Sequence, residues 1–321
     1  MRKHLGLAAL LAVSCVCDCA AQVGAFPNKP MRWVVPFAPG GGTDVVVRPI
    51  AQKFSERVGQ SILYDNRGGG GGVIAGEIVA RAIPDGYTLL VAAVAVMTVN
   101  VSLMKLPFDP VNDFAPITNF ATVPNMLAAR ASLPVHSLQE LVAYAKTNPG
   151  KLVWAQSGMG SGGHLAAEMF KLATGIDVIR VFYKGAGPAN VALLTNEADV
   201  LFANPGVFMS HIKAGRLRSI AVASLQRIAV LPEIPTFVES GFPGFESGSW
   251  YGLAAPAGTP PAIISRLHRD SVSVLGQPEV IARLALDGAS PVGNSPREFA
   301  QQIRDDIARW ANVIKTAGIK L

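Results

Sequence analysis

The chain has 321 residues, enough for one large domain or two of ordinary size, and half of them are apolar, so a substantial core is available and global disorder is excluded. Its formal charge of +6 comes without a Lys/Arg block or interleaved aromatic and basic residues, which argues against a nucleic-acid partner. All three cysteines, Cys15, Cys17 and Cys19, lie near the N-terminus, so the rest of the chain needs neither disulfide nor thiolate chemistry.

Residues 1–25 form a unit of their own. "MRK" supplies a positive start, "LGLAALLAVSCVC" an apolar run too short to span a bilayer, and "CAAQVGA" the small residues that follow in a secretory signal peptide. Cleavage is expected after Ala21 or Ala25, and Val23 at the −3 position favours Ala25. Ser14-Cys15 offers a poorer, second reading as a lipid-attachment site, with Ala12 where such sites usually carry Leu.

From there, β-branched runs alternate with helical patterns. Strands are predicted at 31–37, 61–66 and 87–96, and helices at 44–59 and 72–83. Residues 89–97, "LLVAAVAVM", are only half a bilayer long and read as a buried strand. Non-alternating apolar runs separated by helices indicate a parallel sheet covered on both faces. The pattern restarts at 126–130. A helix follows over 137–150 with Ser137 as its N-cap, then strand 151–156, helix 164–175, strand 178–185, a helix, and strands 198–206 and 217–224. A Pro/Gly-rich segment over 227–246 reads as a crossing. The tail adds "SWYGLAAP" (249–256) and helices over 261–275 and 296–316, the last with Ile303, Ile307, Trp310 and Ile314 as its buried stripe. Two α/β units, with the chain visiting the second and returning, imply a cleft between two lobes.

Two loops occupy matching places in the two units. "PFAPGGGTD" (36–44) and "AQSGMGSGGHL" (155–165) each run from a strand into a helix. Free backbone N–H groups at a helix N-terminus favour an anion, the glycines allow close approach, and Thr43, Ser157 and Ser161 add hydroxyls. The competing structural reading is a tight turn with a Thr/Asp cap. Asp44 fits a cap, or an acceptor for a ligand amino or hydroxyl group, better than an anion site. Neither loop carries the Lys of a P-loop. Gly70, Gly72 and Ala75 match a loose dinucleotide fingerprint, but no acidic residue follows about 20 positions later, so "GGGGG" (68–72) reads as a structural loop.

The signs of an enzyme are missing. There is no G-x-S-x-G, and His136, His164, His211 and His268 show no metal-ligand spacing. No cofactor or metal is expected. Trp33, Trp154 and Trp310 read as core. Trp250 and Tyr251, after the crossing, are candidates for the cleft wall.

Several segments together resemble one family. "KPMRWVVPFAPGGGTD", "GQSILYDNRGGGGGVIAG", "PDGYTLL", "LPFDPVNDFAPIT", "YKGAGPA", "HIKAGRLRSIAVAS" and "SWYGLAAPAGTP" are similar to the extracytoplasmic receptors of tripartite tricarboxylate transporters, the Bug family. The resemblance covers residues 27–320. It implies an α/β, two-lobed periplasmic-binding-protein fold of the second topological type, with residues 26–125 and 226–321 in lobe 1 and 126–225 in lobe 2. It further implies a monomeric periplasmic receptor that closes on a small carboxylate, organic or aromatic, and serves integral membrane transporter subunits or a sensor kinase. The positions it carries over are Phe37, Gly41, Gly42, Thr43 and Asp44; Ser157, Gly158, Gly160, Ser161 and His164; Tyr183, Lys184 and Gly185; and Asn204. Three departures stand out. Ala203 replaces a frequent Asp, which disfavours an amino-acid ligand. "VAVMTVN" (94–100) replaces a more polar stretch and suggests an apolar wall suited to an aromatic or aliphatic acid. Pro49 falls inside the first helix, where it should cost about 3 kcal/mol unless the helix starts late.

Overall fold

The computed structural model describes residues 26–316 and Gly318; the expected signal peptide, with the candidate cleavage and lipid-attachment sites, lies outside the described residues. Strand β1 (Met31–Val35) leads into helix α1 (Gly42–Val58), and β2 (Ile62–Asn66), α2 (Val73–Ala80) and β3 (Thr88–Ala93) continue the alternation. β1 pairs in parallel with both β2 and β3. Trp33, Val34, Leu89 and Leu90 are fully buried, as strands sandwiched between helices require. The strand expected to run through residue 96 stops early. A π-helical turn (Ala95–Val99) follows and leads into the short α3 (Asn100–Leu103), the Thr98 hydroxyl donating back to the Val94 carbonyl at 2.7 Å. Hydropathy alone does not separate a buried strand from a buried helical turn.

β4 (Phe114–Pro124) leaves the first unit and β5 (Met126–Arg130) opens the second. Then come α4 (Leu138–Thr147), β6 (Val153–Gln156), α5 (Gly162–Thr174), β7 (Ile179–Phe182), α6 (Ala186–Leu194), β8 (Val200–Ala203), α7 (Pro205–Lys213) and β9 (Leu217–Val222). Ser137 caps α4 as expected, its side chain accepting from the Glu140 N–H. β10 (Gly248–Pro256) returns to the first unit, and α8 (Pro261–Leu275), α9 (Pro278–Leu286), β11 (Ser290–Pro291) and α10 (Pro296–Thr316) complete the chain. Helices α7 and α9 are additions to the sequence reading. Each opens with a proline in its first turn, where the missing N–H costs nothing.

The strands form two mixed sheets, in the orders β11-β4-β10-β3-β1-β2 and β7-β6-β8-β5-β9. A buried tryptophan anchors the packing of each. Trp33 packs on Phe54 and Phe120, and Trp154 on Phe170 and Phe202. Phe237 and Phe245, from the segment before β10, stack 4.4 Å apart and join the Trp154 cluster. The two chain crossings run side by side: the Asn125 N–H donates to the Ser247 carbonyl at 2.9 Å, and Asn125 Nδ2 to Ser247 Oγ at 2.9 Å. Pro49 lies well inside α1, which does not start late; nothing in the structure explains its presence there.

Candidate functional site

Between the two sheets lies a cavity of about 30 Å³, lined by Phe37, Gly41, Gly42, Thr43, Asn125, Ser157, Ser161, Gly163, Ala186, Ala203, Asn204, Ser249 and Tyr251. Helices α1, α5, α6 and α7 all begin at its wall, one from each predicted loop and two from the strand ends after β7 and β8. None of the lining residues is charged. First-turn N–H groups therefore supply the field there, and that field is positive. Among the described residues no group of three or more His, Cys, Asp or Glu could hold a metal ion.

The first loop is shaped by buried polar contacts behind the cavity. Gly41 is the N-cap of α1 and offers no side-chain cap. Asp44 accepts from the Gly40 N–H at 3.0 Å, from Asn66 Nδ2 at 3.0 Å and from Arg48 at 3.0 Å. Asn66 Nδ2 also donates to the Phe37 carbonyl at 2.9 Å. Asp44 is thus a brace for the loop and does not line the cavity, which leaves the N–H groups of Gly42 and Thr43 unopposed by its charge at the wall.

In the second loop Ser161 is the N-cap of α5. Its hydroxyl accepts from the His164 N–H at 3.1 Å, donates to the Gly158 carbonyl at 2.7 Å and meets Ser157 Oγ at 2.9 Å. His164 is fully buried and its Nδ1 accepts from the Gly160 N–H at 3.1 Å. Burial holds its pKa down to about 4, outweighing the attraction of Glu168, so the ring is neutral at ordinary pH and serves as an internal loop support. Gly158, Gly160 and His164 stand behind the cavity wall; Ser157 and Ser161 form it.

The third predicted stretch contributes backbone. Gly185 is the N-cap of α6, and the Lys184 carbonyl accepts from the Ala38 N–H at 2.9 Å. Neither these two nor Tyr183 lines the cavity; Ala186 does. Asn204, the N-cap of α7, accepts from the Tyr251 hydroxyl at 2.5 Å, a hydrogen bond that ties β10 of one lobe to the strand end of the other. Burial pushes the Tyr251 pKa up to about 12, against the pull of the nearby Ser249 and Thr43 hydroxyls. Of the two candidates at 250 and 251 only Tyr251 reaches the cavity. Trp250 packs edge-on against Phe299 and donates to Asp306 at 2.7 Å. The apolar residues of 94–100 pack in the first core and none of the segment lines the cavity, which removes the argument for an aromatic ligand. Asn125 and Ser249 carry no sequence signal; they line the site because both crossings run past it.

Two sheets facing each other across an uncharged cavity ringed by helix N-termini define a two-lobed solute-binding protein. The chain belongs to the tripartite tricarboxylate transporter family receptors, whose family model matches residues 46–319. It is 38% identical over 306 residues to protein BugT of Bordetella pertussis, covering 94% of each chain. Among solved structures it is similar to a periplasmic transporter at 41% identity and a TM-score of 0.89, over 92% of this chain and 99% of that one. A protein of R. palustris solved with adipate matches at 38% identity and a TM-score of 0.89, over 92% of this chain and 99% of that one. MatC of Rhodopseudomonas palustris, solved with bound malate, matches at 34% and 0.85, over 90% and 100%. These are transport receptors that bind solutes and not enzymes, and the α/β two-lobed periplasmic-binding-protein fold expected of this chain is the one they share.

Proposed function

We propose that this chain is a periplasmic receptor that closes on a small dicarboxylate and presents it to integral membrane transporter subunits. The observation that carries the reading is the convergence of four helix N-termini on a cavity without a charged side chain. Such a site favours an anion through neutral donors. Adipate and malate in the relatives support two carboxylates. Cavity-lining Phe37, Gly41, Gly42, Thr43, Ser157, Ser161 and Asn204 are the ligand-contacting members of the predicted set, joined by Ser249 and Tyr251. The leader at 1–25 supports export, and no described helix is long and apolar enough to cross a membrane. We place the lobe boundaries at Asn125 and at Ser247–Gly248, later than the predicted 225, because Phe237 and Phe245 pack in the second core.

Hydrogen bonds to a charged group contribute about 1.5–3 kcal/mol each; four or five of them, less the ordering costs, correspond to roughly micromolar affinity. The test is thermal unfolding of refolded, ligand-stripped protein against mono-, di- and tricarboxylates, aromatic acids and amino acids. A ligand at 100 times its Kd adds about 2.7 kcal/mol. Dicarboxylates are expected to raise Tm, with Thr43→Ala and Ser157→Ala weakening that shift while leaving the ligand-free Tm in place. A panel with no carboxylate response overturns the reading.

A further inference from the structure

Several glycines of this chain lie where one lobe meets the other, outside the cavity. A Cβ on Gly187, at the start of α6, would collide with the Pro39 carbonyl oxygen and lie 3.1 Å from the Gly40 carbonyl carbon. A Cβ on Gly68 would stand 2.8 Å from the Ala38 nitrogen and 3.0 Å from the Lys184 oxygen, the two atoms of the inter-lobe hydrogen bond. Asn100 makes a third seat. It is fully buried, its Nδ2 donates to the Gly71 carbonyl at 2.9 Å, and its Oδ1 faces Gly160 of the other lobe so closely that a Cβ there would overlap it. A Cβ on Gly71 would lie 2.6 Å from the Met159 oxygen. At such seats bare Cα–H groups rest against oxygens, a weak attraction that any side chain replaces with a clash.

We propose that these three seats, Gly187 on Pro39, Gly68 under the Ala38–Lys184 hydrogen bond, and Gly71 and Gly160 around Asn100, form the latch that holds the lobes shut and so set how long a ligand stays. The inference rests on the receptor reading above. It assigns the "GGGGG" run a function that its sequence pattern does not disclose, and it moves Gly160 and Lys184 from ligand contact to closure. Several residues lining the cavity are buried: Phe37, Thr43, Ser157, Asn204 and Tyr251. A ligand held against these buried groups is freed when the latch parts, and release is the step it governs.

Gly187→Ala is the discriminating variant. Alanine is the better helix former, so an open receptor tolerates it, whereas the closed one must move Pro39. The experiment measures ligand-free Tm, the release rates of malate and adipate, and hydrogen exchange of the Ala38 amide in wild type, Gly187→Ala and Gly68→Ala. Expected are an undiminished Tm for Gly187→Ala, release at least tenfold faster, and faster Ala38 exchange in both variants. Wild-type release rates, or unchanged Ala38 exchange without ligand, overturn the proposal. Should wild type bind neither acid, the carboxylate reading is what fails, and the Ala38 exchange still decides the latch.

Discussion

Replacing Tyr251 by phenylalanine removes one oxygen and leaves the ring in place. The lost hydroxyl is the donor to Asn204 Oδ1, and both residues are buried. Without it the amide oxygen of Asn204 keeps no donor in the closed protein, since the other end of that side chain faces the Pro124 carbonyl. An unpaired buried acceptor costs about 1–3 kcal/mol. The bond joins the two lobes, so the open form, in which water reaches Asn204, is spared most of that cost. The penalty then falls on closure and is read as affinity: roughly 5- to 150-fold weaker binding at 1.4 kcal/mol per tenfold. Titration calorimetry with whichever dicarboxylate raises Tm measures it directly, beside the ligand-free Tm of the variant. The tyrosine pKa of about 12 keeps the donor protonated below pH 10, so wild-type affinity should not fall between pH 6 and 9 through this group. A Tyr251→Phe variant with wild-type Kd would refute the reasoning, and a variant whose affinity is kept but whose ligand-free Tm drops would move the bond from closure to folding.

Two other outcomes are expected. His164 takes up its proton near 6.5 in the unfolded chain but only near 4 in the fold, so its contribution is complete above 6.5 and is lost as pH falls from there towards 4. The loss reaches up to about 3 kcal/mol, and His164→Gln should flatten the Tm-against-pH curve over that window, whereas an equal slope in both proteins rejects it. Ala203→Asp puts a carboxylate among the neutral donors of the cavity wall. Like charges juxtaposed there weaken binding, so calorimetry should show a larger loss of affinity for a dicarboxylate without an amino group than for an amino dicarboxylate, whose ammonium the new carboxylate can accept from, and equal losses for both would show that the ligand sits away from residue 203.

Much of this molecule is written in its sequence. Apolar runs such as "RWVV" and "TLLVAA" have no polar alternation, and runs of that kind must be covered on both faces; that local rule yields sheets, helices and their order without tertiary information. The same is true of the strand-to-helix loops, because glycines and a following hydroxyl place free N–H groups at a helix start wherever the chain goes next. What the sequence alone does not express is which surfaces meet. Asp44 and His164 sit in the predicted loops and look like ligand groups, yet each spends its hydrogen bonds on the loop behind the wall. Ser249 and Asn125 have no motif and reach the site only because both crossings pass it. Tyr251 acts through Asn204, 47 positions away in the chain. The glycine runs show the division most clearly. Their sequence announces that bare backbone is required, and only the packing of one lobe on the other decides that the backbone was cleared for Pro39, Lys184 and Asn100.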